Sequence, residues 1–293
     1  MHKAQAVPGP RPGSLERPGC RLYYEISGAG PALVFAHGLG GNHASWWQQI
    51  AHFAGRYTCV TFAHRGFFPS SPIAAGPDPG DYADDLAALL DHLDLAQVCL
   101  VAQSMGGWTA IEYALRRTGR LSALVLAATT GSIDLAQLLA AERERLLAWQ
   151  RASEAARLEL IKRGIHFACG ERMAREQPAL HRRYRQIDES SAGLDKEALR
   201  ARLIAGRRRR PQELAAVDCP MLFLAADEDI VMPPFAAEAL AAQLPRARAV
   251  RIAEAGHSAY FERAELFNRL VGNFLEGCGL APGKLQRVGS EET

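Results

Sequence analysis

The chain has 293 residues, of which 48% are hydrophobic and 23% are charged, and its formal net charge is +2 at pH 7. This composition is ordinary for a globular protein, and the balanced charge gives no reason to invoke a nucleic-acid or membrane partner. The length fits one layered core with an insertion better than two independent domains.

The six cysteines are spread along the chain without a Cys-X-X-Cys pair. This spacing argues against a structural zinc site, and several of the cysteines fall in or beside apolar segments where buried thiols are expected. The interpretation is a protein of a reducing, cytoplasmic compartment that binds no metal.

Short apolar segments alternate with amphipathic helical segments along most of the chain. This alternation is typical of βαβ units and predicts an α/β fold with a doubly wound, mostly parallel sheet. Because the inner strands are almost continuously apolar, they are expected to be covered on both faces. Strands are predicted at 21–26, 32–36, 58–62, 98–102, 123–127, 221–225 and 249–252, and helices at 45–53, 82–93, 105–117, 235–243 and 262–275.

The strand signal disappears between the two halves of this pattern, where the sequence becomes helical and rich in Ala, Leu, Arg and Glu. Residues 134–211 are therefore predicted to form a helical cap inserted into a core of residues 20–133 and 212–278. We expect a disordered leader at 1–19 and a flexible tail at 279–293. The run of four arginines from Arg207 to Arg210 is interpreted as a solvated helix end, with phosphate binding as the weaker alternative.

Ser104 lies where the apolar segment 98–102 meets a helix-compatible stretch, in Ala102-Gln103-Ser104-Met105-Gly106. A sharp turn from strand to helix brings together the positions two before and two after the serine, and small residues occupy both. This pattern is typical of a nucleophile elbow, which exposes the serine hydroxyl above the sheet.

Two further polar residues follow predicted strands downstream. Asp229 comes after the apolar segment 221–225, and His257 follows 249–252 in Ala255-Gly256-His257-Ser258. A serine hydroxyl needs a neighbouring imidazole to remove its proton, and the imidazole needs an acceptor that fixes its tautomer. We therefore predict Ser104, Asp229 and His257 as a catalytic triad, with Asp227 as the fallback acid.

The chain order Ser, Asp, His, together with the segment His37-Gly38-Leu39-Gly40-Gly41 after strand 32–36, resembles the α/β-hydrolase superfamily over residues 21–133 and 212–276. The resemblance implies an oxyanion hole made by the backbone amides of Leu39 and Met105, and no cofactor. Further residues next to these motifs are expected at the substrate pocket: His37, Gly38, Trp108 and Val231. His43, Trp46 and Trp47 are expected to pack the adjacent helix and the pocket wall.

One loop departs from the pattern of that superfamily. Where its members usually carry Asp-X-Arg-Gly-X-Gly-X-Ser, this chain has Ala63-His64-Arg65-Gly66-Phe67-Phe68-Pro69-Ser70. Ala63 and Phe68 thus replace an acid and a glycine. Since this loop lies beside the active site in the superfamily, the added bulk is expected to alter the pocket's shape.

These features predict a serine hydrolase that cleaves an ester, thioester or lactone of a small, largely apolar substrate. Carbon-carbon hydrolysis of ring-cleavage diketones and enol-lactonase activity rank second, because Ser258 stands where the diketone hydrolases usually have a tryptophan. A cofactor-free dioxygenase and a non-catalytic small-molecule receptor are the alternatives of another class. The sequence leaves the oligomeric state open.

Overall fold

A mostly parallel sheet forms the centre of the computed structural model, which describes residues 9–117 and 119–280. Within this part of the chain the sheet has eight strands, in the spatial order β1-β2-β4-β3-β5-β6-β7-β8. The strands are β1 (Arg11–Arg17), β2 (Cys20–Ser27), β3 (Ala32–Ala36), β4 (Thr58–Ala63), β5 (Val98–Gln103), β6 (Leu121–Ala127), β7 (Met221–Ala226) and β8 (Ala247–Ile252).

The strand order reverses at the centre of the sheet, between β3 and β5. These two strands are parallel neighbours with Ala36 opposite Ala102, and the chain runs from β3 to β4 on one side before it crosses to β5 on the other. Ligand sites in open α/β sheets lie outside the carboxyl ends of the strands at such a reversal. The loops after β3 and β5 carry His37 and Ser104, so the predicted site falls at this position.

Helices cover both faces of the sheet, which explains why β3, β5 and β7 are buried throughout. Helices α2, α3 and α9 contribute to the apolar core on one face, and α1, α10 and α11 to the core on the other. The helices are α1 (Trp47–Phe53), α2 (Tyr82–His92), α3 (Met105–Arg116), α4 (Leu135–Leu138), α5 (Arg143–Lys162), α6 (Gly170–Glu176), α7 (Pro178–Glu189), α8 (Lys196–Ala205), α9 (Pro234–Ala241), α10 (Ala259–Glu262) and α11 (Ala264–Gly277).

The segment between β6 and β7 is helical, with α4 to α8 in succession. A short parallel bridge between Ile133 and Arg209 joins the chain entering this segment to the chain leaving it. The side chain of Arg209 also bonds to Glu112 of α3, at 2.8 and 2.9 Å. The insertion, called the cap below, is thereby fixed to the core at its base.

The expectation of a disordered leader is wrong for residues 11–17, which form β1. This strand pairs antiparallel with β2 along its whole length, from Arg11 opposite Ile26 to Arg17 opposite Cys20. Gly19 makes the tight connection possible because its φ of +69° suits a residue without a side chain. Residues 1–8 of the predicted leader lie outside the described residues.

The predicted tail at 279–293 is described only for its first two residues. Leu280 packs against the apolar core, and its carbonyl accepts a hydrogen bond of 3.1 Å from the Tyr57 hydroxyl. The prediction for residues 281–293 lies outside the described part of the chain.

Candidate active site

Ser104 is the single residue between the end of β5 and the start of α3. Its backbone has φ +51° and ψ −115°, a conformation that costs a residue with a side chain about 1–3 kcal/mol. The turn is held on both sides: the Ser104 amide donates to Ala127 at 3.0 Å, and the Ser104 carbonyl accepts from the Thr129 hydroxyl at 2.8 Å. Strain maintained by surrounding bonds is the expected signature of a nucleophile elbow.

The small residues of the elbow are required by close packing. A Cβ atom at Gly106 would lie 2.2 Å from the carbonyl oxygen of Ala36, and one at Gly107 would lie 2.3 Å from the side chain of Thr129. The first contact is with backbone of the neighbouring strand, which cannot move aside. The beginning of α3 therefore packs directly against the end of β3.

The structure brings together the three side chains predicted as a triad, from three separate loops. His257 Nε2 lies 2.8 Å from Ser104 Oγ, and His257 Nδ1 lies 2.8 Å from Asp229 Oδ2. All three are shielded: His257 and Asp229 are 4% and 3% exposed, and Ser104 is half-buried. The imidazole thus bridges a hydroxyl and a carboxylate in a site with little competing water.

Asp229, and not the fallback Asp227, contacts the imidazole. The second oxygen of Asp229 accepts hydrogen bonds from the amides of Val231 and Met232, at 2.7 and 2.9 Å. These bonds fix the carboxylate so that Oδ2 faces His257. The Asp227 carboxylate instead lies at the surface, 3.4 Å from Arg251.

The loop after β3 is held by a pair of buried histidines. His37 Nδ1 donates to the carbonyl of Gly38 at 2.8 Å, and Nε2 accepts from the amide of His64 at 3.0 Å. Complete burial lowers the pKa of His37 to about 3, so the ring is neutral at physiological pH. His37 therefore shapes this loop and is unsuited to proton transfer.

Three contacts hold the loop that carries His257, which we call the histidine loop (residues 255–258). The Gln103 amide donates to the His257 carbonyl at 3.1 Å, and the Glu262 carboxyl accepts from the Gly256 amide at 3.0 Å. The Ser258 hydroxyl bonds to the Tyr184 hydroxyl of the cap at 3.1 Å. Burial raises the pKa of Glu262 to about 8. The sequence reasoning assigned no supporting role to these residues, because Gln103 and Ser258 occupy variable positions of the quoted motifs and Tyr184 and Glu262 lie outside them.

A cavity of about 250 Å³ opens beside Ser104, between the sheet edge and the cap. Leu39 and Met105 line it, together with the predicted pocket residues Trp108 and Val231. The cap contributes further residues that could not be placed from the sequence: His166, Phe167, Tyr184, Asp188, Arg200 and Arg207.

The expectation that His37 and Gly38 line the pocket is wrong, because neither reaches the cavity. His37 is fully buried beneath the loop. Gly38 packs against Gln103, and a Cβ at Gly38 would lie 2.2 Å from Gln103 Oε1. Both residues lie behind the residues that line the cavity and pack against them.

The aromatic residues at and just before the start of α1 are likewise absent from the cavity wall. Trp46 is fully buried and packs between Phe35 and Tyr260. Trp47 is 39% exposed and stacks under Arg183 of the cap, while His43 lies 3.5 Å from Glu25. Their packing role is as expected, whereas the pocket-wall role is wrong.

The departures at Ala63 and Phe68 do not lie in the cavity wall, contrary to the expectation that they alter the pocket's shape. Ala63 is buried at the end of β4, and Phe68 is 57% exposed at the surface, so neither lines the site. Arg65 of the same loop forms a buried ion pair with Asp85 at 2.6 Å. The loop is thus anchored to α2, with Phe67 packed against Met105 and Trp108 and Phe68 facing solvent.

The interpretation of the arginine run as a solvated helix end is wrong for two of its members. Arg207 lines the cavity, and its Nε is fully buried. Arg209 is bound to Glu112 and Glu213. Arg208 and Arg210 are exposed, as expected.

Comparison with known proteins assigns this architecture to a family. A model described as "alpha/beta hydrolase fold" matches residues 31–264. The chain therefore belongs to the α/β hydrolase fold family.

Individual relatives are distant and differ in activity. The chain is 27% identical to 3-oxoadipate enol-lactonase 2 of Acinetobacter baylyi over 82% of its own length and 87% of that protein. It is 40% identical over 112 residues, 38% of its length and 41% of the relative, to the non-heme chloroperoxidase CPO-A1 of Kitasatospora aureofaciens. A thermophilic esterase of Thermogutta terrifontis superimposes with a TM-score of 0.72 at 26% identity, covering 92% of this chain and 99% of the esterase. These similarities support a hydrolase that acts on a small molecule, without fixing the substrate.

No helix in the described part of the chain combines the length and the apolar character needed to cross a membrane.

Proposed function

We propose that the protein is a serine hydrolase that cleaves a carboxylic ester, thioester or lactone of a small substrate through an acyl-enzyme on Ser104. The observation that carries this proposal is the position of His257, within 2.8 Å of both Ser104 Oγ and Asp229 Oδ2. An imidazole placed between a hydroxyl and a carboxylate can take up and return the hydroxyl proton.

In the proposed first step the Ser104 oxygen attacks the substrate carbonyl while His257 Nε2 removes the hydroxyl proton. Asp229 accepts the Nδ1 hydrogen and stabilises the imidazolium that forms. The imidazolium then protonates the leaving alcohol, thiol or lactone oxygen as the carbonyl re-forms. In the second step His257 activates a water molecule, and the acid is released with Ser104 restored.

The negative charge on the carbonyl oxygen needs donors at the end of β3 and the start of α3. Met105 is the first residue of α3, so its amide has no partner within the helix. Leu39 lines the same cavity. We assign the oxyanion hole to these two amides, each of which would contribute about 3 kcal/mol to transition-state stabilisation.

The proposal is tested with p-nitrophenyl esters of increasing chain length and a set of lactones, which the similarity to an enol-lactonase makes worth including. We expect turnover to be lost in Ser104→Ala and in His257→Ala, and a fluorophosphonate probe to label the wild type at Ser104. Failure of the probe to label folded protein would support a non-catalytic receptor. Turnover that survives Ser104→Ala but not His257→Ala would replace the acyl-enzyme with base-driven chemistry such as a cofactor-free oxygenase.

We further infer a cytoplasmic location. All six cysteines are free thiols and five of them are buried, which fits a reducing compartment. The location is tested by fractionating cells that produce the protein; recovery from an oxidising compartment would contradict it.

A further inference from the structure

Arg207 is a cation without a counter-charge inside the catalytic cavity. Its side chain lines the cavity, and its Nε is fully buried with no hydrogen-bond partner. Among the described residues, no hydrogen bond or ion pair reaches its guanidinium. Burial lowers the pKa of Arg207 to about 10, so the group still carries its charge at neutral pH.

The other charged side chains of the cavity are paired with one another. Lys196 lies 2.6 Å from Asp188, whose carboxylate is also 3.5 Å from His166. Arg200 lies 3.5 Å from Glu197. Three cations and two carboxylates therefore line the cavity, and Arg207 is the cation left over.

The backbone around Arg207 is held in place by the core. A Cβ at Gly206 would lie 2.4 Å from Cη2 of Trp108, so the chain at Gly206 packs directly on the tryptophan ring. Trp108 stands one helical turn after Ser104 and is itself fixed by a hydrogen bond of 3.2 Å to the Pro79 carbonyl. Two residues beyond Arg207, the Arg209 amide donates to Ser132 at 3.1 Å. Arg207 is thus anchored on both sides at the base of the cap.

Removing a cation from water is unfavourable unless an anion or hydrogen-bond acceptors replace the water. An anionic group on the ligand would supply Arg207 with a counter-charge and with hydrogen-bond acceptors. A guanidinium matches the planar geometry of a carboxylate, with two parallel N–H···O bonds. The single surplus charge suits a monoanion such as a carboxylate better than a phosphate dianion.

We propose that Arg207 binds a carboxylate at the end of the substrate remote from the reacting carbonyl, so that the preferred substrates are half-esters or lactones bearing a free carboxylate. This inference rests on the proposed hydrolase function and replaces the expectation of a largely apolar substrate. Trp108 and the apolar residues around it would then contact the carbon chain between the two ends.

The test compares monomethyl glutarate, which carries a carboxylate, with dimethyl glutarate, which does not. We expect the wild type to have the higher kcat/KM for monomethyl glutarate. Arg207→Met should lower that value about 10- to 100-fold while changing kcat/KM for dimethyl glutarate little. Arg207→Lys should retain part of the preference. The matched control is Arg208→Met, because Arg208 is exposed beside Arg207 and should leave both substrates unaffected.

The proposal is overturned if the wild type does not prefer the half-ester, or if Arg207→Met lowers both values equally, as a structural role would. It is also overturned if Arg208→Met has the same effect as Arg207→Met. A binding measurement distinguishes failure of this proposal from failure of the hydrolase proposal. Calorimetry with monomethyl glutarate should show binding to Ser104→Ala that is lost in Ser104→Ala/Arg207→Met, and this result would stand even if no ester or lactone were hydrolysed. Absence of such binding overturns the carboxylate site whatever the activity.

Discussion

Gln103 donates a hydrogen bond of 3.1 Å from its side-chain amide to the main-chain carbonyl of His257. Because Gln103 directly precedes Ser104, this bond connects the elbow to the histidine loop. The other end of the same amide packs against Gly38, in the loop assigned to the oxyanion hole. One buried side chain outside the proposed triad therefore joins three loops of the proposed machinery: the elbow, the histidine loop and the loop after β3.

Gln103→Leu is expected to lower kcat about 10- to 100-fold with a smaller effect on KM, because displacement of His257 by a fraction of an ångström weakens proton transfer. The variant should also lose about 1–3 kcal/mol of unfolding free energy, since the His257 carbonyl is left without its buried partner. Steady-state kinetics and urea unfolding measure the two effects.

Gln48→Leu is the control for this prediction. Gln48 donates a comparable bond of 2.9 Å to the Phe261 carbonyl, outside the site. It should lose stability without losing kcat. Equal losses of kcat in both variants would show that Gln103 acts through general stability alone.

Asp229→Asn is expected to lower kcat by about 10²- to 10⁴-fold, by analogy with the loss of the acid in other triads. The asparagine amide cannot both accept the Nδ1 hydrogen of His257 and keep the bonds from Val231 and Met232, because it has only one acceptor oxygen. When that oxygen accepts from the two backbone amides, the NH₂ group faces His257 and favours the wrong tautomer. Comparison of kcat at saturating substrate measures the effect.

Asp227→Asn provides the matched control, because Asp227 lies two residues away and pairs with Arg251 at the surface. Its kcat should stay within about twofold of the wild type, since exposed ion pairs contribute little. If Asp227→Asn were the more damaging change, the acid would have to be reassigned.

The sequence was sufficient to predict the inner parallel strands β3, β5 and β7 because these are buried throughout. A short, continuous apolar run bordered by turn residues, such as that of β5, indicates a buried strand. The edge strand β1 was missed because its sequence, Arg-Pro-Gly-Ser-Leu-Glu-Arg, is largely exposed and contains proline and glycine. Such residues are tolerated at a sheet edge, so their presence does not exclude a strand.

The residues of the proposed triad could be predicted because each follows a predicted strand, whereas the residues of the cavity wall could not be predicted. The four-residue spacing of Leu199 and Leu203 places both on one face of α8, but it does not reveal which part of the core that face covers. Arg207 shows the difficulty most clearly. Four successive arginines look alike in sequence, and only the contact of Gly206 with Trp108 decides which of them enters the cavity.

Ser104→Gly is expected to be more stable than Ser104→Ala by about 1 kcal/mol, while both variants lose activity. The φ of +51° at position 104 strains any residue with a Cβ, and glycine relieves that strain at the cost of greater freedom in the unfolded chain. Alanine removes the hydroxyl but keeps the Cβ, so it is the matched control. Urea unfolding of both variants measures the difference; an alanine variant as stable as the glycine variant would show that the strain at the elbow does not exceed the entropic cost of glycine.

Glu262 should make the free energy of unfolding depend on pH. Its pKa is raised from 4.5 to about 8 by burial, so between these values the folded protein holds a proton that the unfolded chain has released. Stability contributed by the protonated carboxyl is therefore complete below about pH 4.5 and is lost as the pH rises toward 8, with a slope of up to about 1.4 kcal/mol per unit. Glu262→Gln cannot ionise and should remove this part of the slope in urea unfolding from pH 5 to 8. Glu265→Gln, at an exposed position of α11, should keep the wild-type slope. If Glu262→Gln and the wild type had parallel profiles, the Glu262 carboxyl would have to be ionised in the folded state throughout this range.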